Sequence, residues 1–284
     1  MGHELRYEMG NAGDIIKHGL LAEFVRWYKS AVGECLRFAD PFGGCPWGDL
    51  NHVVGGRLAK LKNSALSDAY PRDENKYFGS SHLVRQAAGE FPVNIYVSDK
   101  DEDARCKLDN SFSEYRNCME LIKDLPPGND GYAILDGGRP ENYDLILIDP
   151  YSEFLLEECN RGNKRFNAIL SLTEACDSFF AVFILDKKEN HVHRNLRKVR
   201  EQMLEREVLL SLRCPKMVGE RHAYEMWLIS SCLKNQQATA DLRTRLRAFS
   251  SAAEKALDLE NMVSSGGGEE FSRPKIMHWG LGDE

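Results

Sequence analysis

The most chemically distinctive run of this 284-residue chain ends in Asp149, Pro150 and Tyr151. Four aliphatic residues, Leu145–Ile148, precede it, and such a run predicts a strand buried on both faces of a parallel sheet. Pro150 cannot continue the ladder of hydrogen bonds, so Asp149 is predicted at the carboxyl end of the strand. A fixed carboxylate beside a Pro and an aromatic ring suits the binding of a planar amine, as in group transfer. Alone, the tripeptide fits an ordinary turn with a solvated Asp equally well.

Three further predicted strands also end in a carboxylate: residues 36–39 before Asp40, residues 94–98 before Asp99, and residues 132–135 before Asp136. Nucleotide-binding sheets often place such a carboxylate on the ribose hydroxyls. Asp99 is the expected residue here, with Asp101 and Asp103 as competing candidates. Asp40 could bind a ligand amino group, and Gly43 would let the backbone approach the ligand. A ligand with a ribose, an amine and positive charge fits this pattern, and S-adenosylmethionine has all three.

The predicted strands are spaced so that helices can lie between most of them. Seven strands are predicted, at residues 36–39, 94–98, 132–135, 145–148, 179–185, 207–212 and 224–230. Helices are predicted over residues 14–28, with Asn11 or Asp14 as the cap, and over residues 104–122 and 190–204. This alternation predicts an α/β fold with a doubly wound, mostly parallel, Rossmann-like sheet. The short link between the last two strands predicts an antiparallel hairpin at one edge.

Chain length and hydrophobic content favour one large domain, predicted over residues 1–234. Within it, residues 45–90 show helical patterns and no clear strand, which indicates a helical insertion. Residues 235–263 are predicted to contain a C-terminal helix. Residues 264–284 begin with a Gly-rich stretch and are predicted to be a flexible linker and tail.

Composition limits the classes of function. A net charge of −7 argues against a protein that coats nucleic acid with its whole surface, although Lys187 and Lys188 begin a local basic segment. The alternative for such a segment is a solvated helix face. The eight cysteines form no CxxC pair, the start of the chain does not read as a signal peptide, and no apolar run reaches membrane-spanning length. We therefore expect a cytoplasmic protein with no metal site and no membrane contact.

Three segments, in the same order, resemble the bacterial 23S ribosomal RNA methyltransferases that modify the exocyclic amine of adenine. They are residues 11–18 (NAGDIIKH), 77–80 (YFGS) and 148–151 (IDPY). The resemblance covers roughly residues 5–232, and the first segment is its most specific part. It implies a class I methyltransferase fold, S-adenosylmethionine as cofactor, and RNA rather than DNA as the partner.

The resemblance and the strand ends together give a set of expected site residues. The catalytic residues would be Asp149, Pro150 and Tyr151. The cofactor-binding residues would be His18, Asp40, Phe42, Gly43, Ser80, Asp99, Asp136 and Gly137. The substrate-binding residues would be Tyr7, Phe154, Lys187 and Lys188. From sequence alone, His18 fits a packed core histidine better, and it is the matched motif that favours the cofactor site.

The chain also departs from the family pattern. The family has Asp-Pro-Pro-Tyr at the catalytic tip, whereas here one Pro is missing, and Phe42 stands in place of a histidine. A single-Pro tip is also similar to the methyltransferase-like partner proteins of three-cysteine-motif systems. Two alternatives therefore stay open, namely a partner protein that only binds S-adenosylmethionine and a methyltransferase acting on DNA or another acceptor. The missing GxGxxG argues against a third, a nucleotide-dependent oxidoreductase.

Overall fold

The structure, a computed structural model, describes twelve parts of the chain. They are residues 9–50, 52–70, 75–99, 101–111, 119–121, 131, 140–150, 171, 176–186, 208–214, 223–230 and 236–257. The strand predicted at residues 132–135, the helix predicted at residues 190–204 and the predicted linker at residues 264–284 lie outside the described residues.

A mixed sheet of mostly parallel strands forms the centre of the fold. Along the chain the strands are β1 (Leu36–Asp40), β2 (Trp47–Asp49), β3 (Lys76–Phe78), β4 (Val93–Val97), β5 (Met119–Leu121), β6 (Leu145–Ile148), β7 (Phe179–Asp186), β8 (Val208–Cys214) and β9 (Ala223–Ser230). Seven of them form one sheet in the order β5-β4-β1-β6-β7-β9-β8. Among the described strands of this sheet, β9 alone runs against its neighbours, β7 and β8, so the hairpin predicted at the edge is present.

The strands of this sheet are not quite the predicted set. Six coincide with predictions, but β5 falls where a helix over residues 104–122 was expected. That expectation was wrong at its end, because the helix α5 spans Glu102–Ser111 and residues 119–121 pair with β4. Met, Glu and Leu are good helix formers, and a three-residue edge strand takes its conformation from its partner strand rather than from its own propensity.

The insertion also contains strands that were not expected. β2 and β3 pair antiparallel, with Trp47 opposite Phe78 and Asp49 opposite Lys76. Two helices lie between them, α2 (His52–Lys60) and α3 (Ala65–Asp68). Three-residue strands are too short to show a period of two, so the sequence pattern could not separate them from a loop.

The first helix, α1 (Ala12–Ala31), is buried along most of its length. Its cap is Asn11, whose side chain accepts a hydrogen bond from the Asp14 N–H at 2.9 Å. The helices α4 (Ser80–Ala88) and α6 (Gln236–Ala256) pack against it. A Cβ at Gly19 would lie 1.7 Å from the Phe249 ring of α6, so only glycine allows this approach. Because α1 has neighbours on several sides, its charged residues must find partners inside the protein.

Within the described part of the chain, no helix has the length and apolar character needed to cross a bilayer.

Candidate functional site

The candidate site lies where the strand order reverses. The chain passes from β1 outward to β4 and β5, then returns to β6 on the opposite side of β1. In open α/β sheets, ligands bind beyond the carboxyl ends of the strands at such a point. Asp40 is the last residue of β1, and Asp149 follows the fully buried strand β6. The predicted position of Asp149 at a strand end is therefore present in the fold.

Lys17 of α1 lies between two carboxylates at this edge. Its Nζ is 2.6 Å from Asp149 Oδ2 and 3.0 Å from Asp14 Oδ1. The other oxygen of Asp14 accepts a hydrogen bond from the Gly10 N–H at 2.8 Å. The ammonium also lies 5.2 Å from the centre of the Phe183 ring of β7. These contacts fix the Asp149 side chain to α1.

The protonation states within this cluster depend on one another. Burial would lower the pKa of Lys17, but the negative charges of Asp14 and Asp149 raise it above its ordinary value, so the ammonium stays charged. Burial would raise the pKa of Asp14, and the charge of Lys17 lowers it instead. Burial raises the pKa of Asp149, with Lys17 opposing the shift. One buried cation thus serves two carboxylates, the buried Asp14 and the partly buried Asp149.

A third carboxylate, Asp40, has an unused hydrogen-bonding position. It is 1% exposed, and its Oδ2 accepts a hydrogen bond from Ser81 Oγ at 3.0 Å. Its Oδ1 is buried and has no hydrogen-bond partner among the described residues. Burial, with a further contribution from the charge of Asp149, raises the pKa of Asp40 to about 7. A buried carboxylate oxygen without a hydrogen-bond partner is costly, and it suits the amino group of a ligand.

Asp99 supports the loop that follows β1. Its two oxygens accept hydrogen bonds from the Gly44 N–H at 2.9 Å and the Asp101 N–H at 2.8 Å. The competing candidate Asp101 instead accepts from the Ala104 N–H at the start of α5, as a helix cap does. Asp99 is therefore fixed to the loop after β1, at the carboxyl edge of the sheet, whereas Asp101 belongs to the start of α5.

Gly43 and Phe42 complete that loop. The Gly43 N–H donates to the Ser98 carbonyl at 2.7 Å, and a Cβ at Gly43 would lie 2.3 Å from Val97 Cγ2. The close approach that Gly43 permits is therefore to the end of β4, not to open space for a ligand. Phe42 is half-buried, and its ring packs against Gly131, where a Cβ would lie 2.8 Å from it.

His18 has partners at both ring nitrogens. Nδ1 is 2.8 Å from Tyr77 Oη and Nε2 is 3.2 Å from Ser80 Oγ, and the ring stacks on Tyr77 at 5.3 Å between centroids. Burial, assisted by the charge of Lys17, lowers the pKa of His18 to about 3, so the ring is neutral. One nitrogen donates and the other accepts. In this arrangement His18 joins α1 to β3 and α4, and the Ser80 hydroxyl is part of the same network.

The remaining predicted site residues are Tyr7, Asp136, Gly137, Tyr151, Phe154, Lys187 and Lys188, which lie outside the described residues. Pro150 is described and buried beside Asp149.

Sequence reasoning missed Lys17, Asp14 and Ser81 as members of this group. Lys17 and Asp149 are 132 residues apart, so no local pattern links them. The available indication was the placement of Asp14 and Lys17, at i and i+3, among the apolar residues of one helix, since buried charges require partners.

No protein-family model matches the chain, and no curated protein matches it. Among solved structures, protein LPL1258 from Legionella pneumophila str. Philadelphia 1 is similar, with a TM-score of 0.65 and 15% identity over 88% of this chain and 94% of that one. Human methyltransferase-like protein 13 in complex with SAH gives a TM-score of 0.38 and 16% identity over 91% of this chain and 95% of that one. The first similarity shows a shared α/β fold, while the second is too weak to support an argument.

Proposed function

We propose that this protein is an S-adenosylmethionine-dependent methyltransferase that acts on the exocyclic amine of adenine in RNA, with ribosomal RNA as the acceptor that the resemblance favours. The observation that carries the proposal is the group of carboxylates at the switch point of the sheet. Asp149 is held there by Lys17, and Asp40 offers an open oxygen. A cationic ligand bearing amino and ribose groups fits these residues.

The cofactor-binding part of the proposal rests on Asp40 and Asp99. The buried Oδ1 of Asp40 would accept a hydrogen bond from the amino group, which would also offset the cost of ionising this carboxyl group. The carboxylate of Asp99 would accept hydrogen bonds from the ribose hydroxyls. S-adenosylmethionine, when bound, supplies a methyl group that a sulfonium centre activates.

The acceptor part rests on Asp149 and Pro150. The Asp149 carboxylate and the Pro150 carbonyl would accept hydrogen bonds from the adenine amine and stabilise positive charge as it develops on the nitrogen. Lys17 positions the carboxylate by holding Oδ2. A base inside a duplex cannot reach such a pocket, so the acceptor nucleotide would be unpaired or flipped.

The test compares Asp149→Asn with Asp144→Asn, which lies at the other end of the same strand. The wild type and both variants are incubated with labelled S-adenosylmethionine and separated RNA, DNA and protein fractions. We expect label in RNA, recovered as methyladenosine, and a loss of roughly 10²- to 10³-fold in Asp149→Asn, because a charged acceptor in the site is removed. Asp144→Asn should keep its activity.

Cofactor affinity, measured by calorimetry, separates the alternatives. Unchanged binding with no transfer in Asp149→Asn supports the proposed role. Binding without any turnover in the wild type would instead support a non-catalytic partner protein. Label confined to DNA or protein would contradict RNA as the acceptor.

A further inference from the structure

We propose that Trp47 and Lys76 of the insertion form a binding platform for single-stranded nucleic acid, with Trp47 stacking on a base next to the target nucleotide. The inference deepens the proposed function, because it rests on an acceptor that is a polynucleotide. We call these two residues the platform.

Trp47 is unusual in its exposure. Among the described residues, two large hydrophobic residues are exposed, Val32 and Trp47, and Trp47 is 39% exposed. Val32 caps the end of α1, whereas Trp47 lies in β2 shortly after the loop that follows β1. An aromatic ring left partly open beside a candidate site is a suitable surface for a nucleobase, since every base has a π-face.

The ring is held in place from two sides. The Lys76 ammonium lies 4.5 Å from its centroid, and the His82 ring meets it at 5.3 Å with an angle of 89° between the planes. Trp47 and Lys76 are diagonal neighbours across the β2–β3 ladder, where side chains on adjacent strands reach one another. The platform therefore presents a fixed aromatic ring and a positive charge together.

The platform is connected to the candidate site by short contacts. Ser81, next to His82 in α4, donates to the open-sided carboxylate of Asp40. The Gly79 N–H donates to the Pro46 carbonyl at 2.7 Å, one residue before Trp47. A Cβ at Gly79 would lie 2.3 Å from the Cys45 carbonyl oxygen, so α4 and the start of β2 are in close contact. Trp47 is thus joined through α4 to the side of the candidate site where Asp40 lies.

The chemistry of the pair fits a nucleotide strand. A base would stack on the part of the Trp47 ring that Lys76 leaves open, and the ammonium would contact an adjacent phosphate. Because stacking does not depend on base identity, the platform would hold the strand without selecting its sequence. Selection of adenine would remain with the site around Asp149.

The test measures binding of the full chain to a fluorescein-labelled single-stranded oligoribonucleotide and to its DNA counterpart by fluorescence anisotropy. We expect Trp47→Ala to raise Kd by roughly 5- to 140-fold, and Trp47→Phe to retain most of the affinity. Lys76→Ala should reduce the slope of log Kd against log salt by about 0.7. Lys62→Ala, which removes an exposed lysine of the same insertion, is the matched control and should bind as the wild type does.

Several results would overturn the platform. These are an unchanged Kd in Trp47→Ala, an equal loss in Lys62→Ala, and no oligonucleotide binding by a wild type that binds S-adenosylmethionine. The comparison of RNA with DNA shows which of the two strands the platform prefers. If Trp47→Ala binds normally while Asp149→Asn loses transfer, the proposed function stands and the platform falls. If Trp47→Ala binds more weakly but the wild type transfers no methyl group, the platform stands and the proposed function falls.

Discussion

An aspartate and a cation lie at each end of β6, but the two ends differ in how the carboxylates are paired. At the amino end, Asp144 accepts hydrogen bonds from the Arg37 N–H, Nε and Nη2 at 2.7, 3.1 and 2.6 Å. At the carboxyl end, Asp149 pairs with Lys17, which also serves Asp14. Both ends therefore hold an aspartate and a cation. Among the described residues, the carboxyl end holds three aspartates, Asp14, Asp40 and Asp149, and Lys17 pairs with two of them.

This difference indicates which edge of the sheet offers a ligand a hydrogen-bond acceptor. The Arg37 guanidinium is 42% exposed, and both oxygens of Asp144 are bonded, so this pair closes the amino edge of the sheet. At the carboxyl edge, the Oδ1 of Asp40 is buried and unbonded among the described residues. Buried polar groups are normally satisfied, and one that is not requires a reason. The excess of carboxylates, rather than the ion pair itself, distinguishes the candidate site.

The largest difference in stability between the two ends is expected when the cation at each end is removed. Lys17→Met leaves the buried Asp14 and the partly buried Asp149 without their partner and should lower the free energy of unfolding by about 3–5 kcal/mol near pH 8. Arg37→Met removes a partly exposed guanidinium and should cost about 1 kcal/mol. Urea unfolding of both variants measures the difference. Equal losses would mean that the two ends are energetically alike and would remove the basis of the comparison.

Sequence could predict the carboxylates but not their partners. The run Leu145–Ile148 followed by Asp149-Pro150 identifies a buried strand and its end locally, and Asp40 and Asp99 were predicted in the same way. Whether a carboxylate oxygen is bonded depends on residues far along the chain, such as Lys17 for Asp149 and Ser81 for Asp40. Only the fold brings these residues together.

The fold itself was predictable where strands are long and buried. Continuous apolar runs such as β6 and β7 are strong indications of a parallel sheet. The strands β2, β3 and β5 have three residues each, and their conformation follows from pairing rather than from composition. For His18, the structure gives both ring nitrogens partners within the protein, and the cofactor contact that its motif indicated stays a prediction.

A second comparison of stability concerns two tyrosine hydroxyls, one bonded to His18 and one bonded to Asp144. Tyr77→Phe removes the hydroxyl that contacts His18 Nδ1, leaving a buried nitrogen unsatisfied, and should cost about 1–3 kcal/mol of stability. Tyr28→Phe is the matched control at the amino end, where the Tyr28 hydroxyl bonds to Asp144. Asp144 keeps its bonds from Arg37, so this change should cost less. A larger loss in Tyr28→Phe, measured by thermal and urea unfolding, would contradict the structural role of the His18 network.

The last prediction concerns how stability changes from one pH unit to the next. The pKa of Asp40 is raised to about 7, so the folded protein keeps a proton that the unfolded chain releases near pH 4. Its contribution to stability is present below about pH 4 and is lost as the pH rises to about 7, with a slope of at most about 1.4 kcal/mol per pH unit. His18 and His82 act in the opposite direction, because burial lowers their pKa values to about 3 and about 4.

Asp40→Asn isolates this contribution from that of the histidines. Relative to the wild type, the variant should gain stability steadily from pH 5 to pH 7 and then level off, as measured by urea unfolding across that range. A constant difference at every pH would mean that Asp40 ionises as freely as in the unfolded chain. Saturating S-adenosylmethionine should reduce the pH dependence of the wild type but not that of Asp40→Asn, because an amino group at Oδ1 would stabilise the ionised carboxylate. That difference would connect the unbonded oxygen of Asp40 with ligand binding. The oxygens of Asp144 are already bonded to Arg37, so no such effect is expected at the amino end.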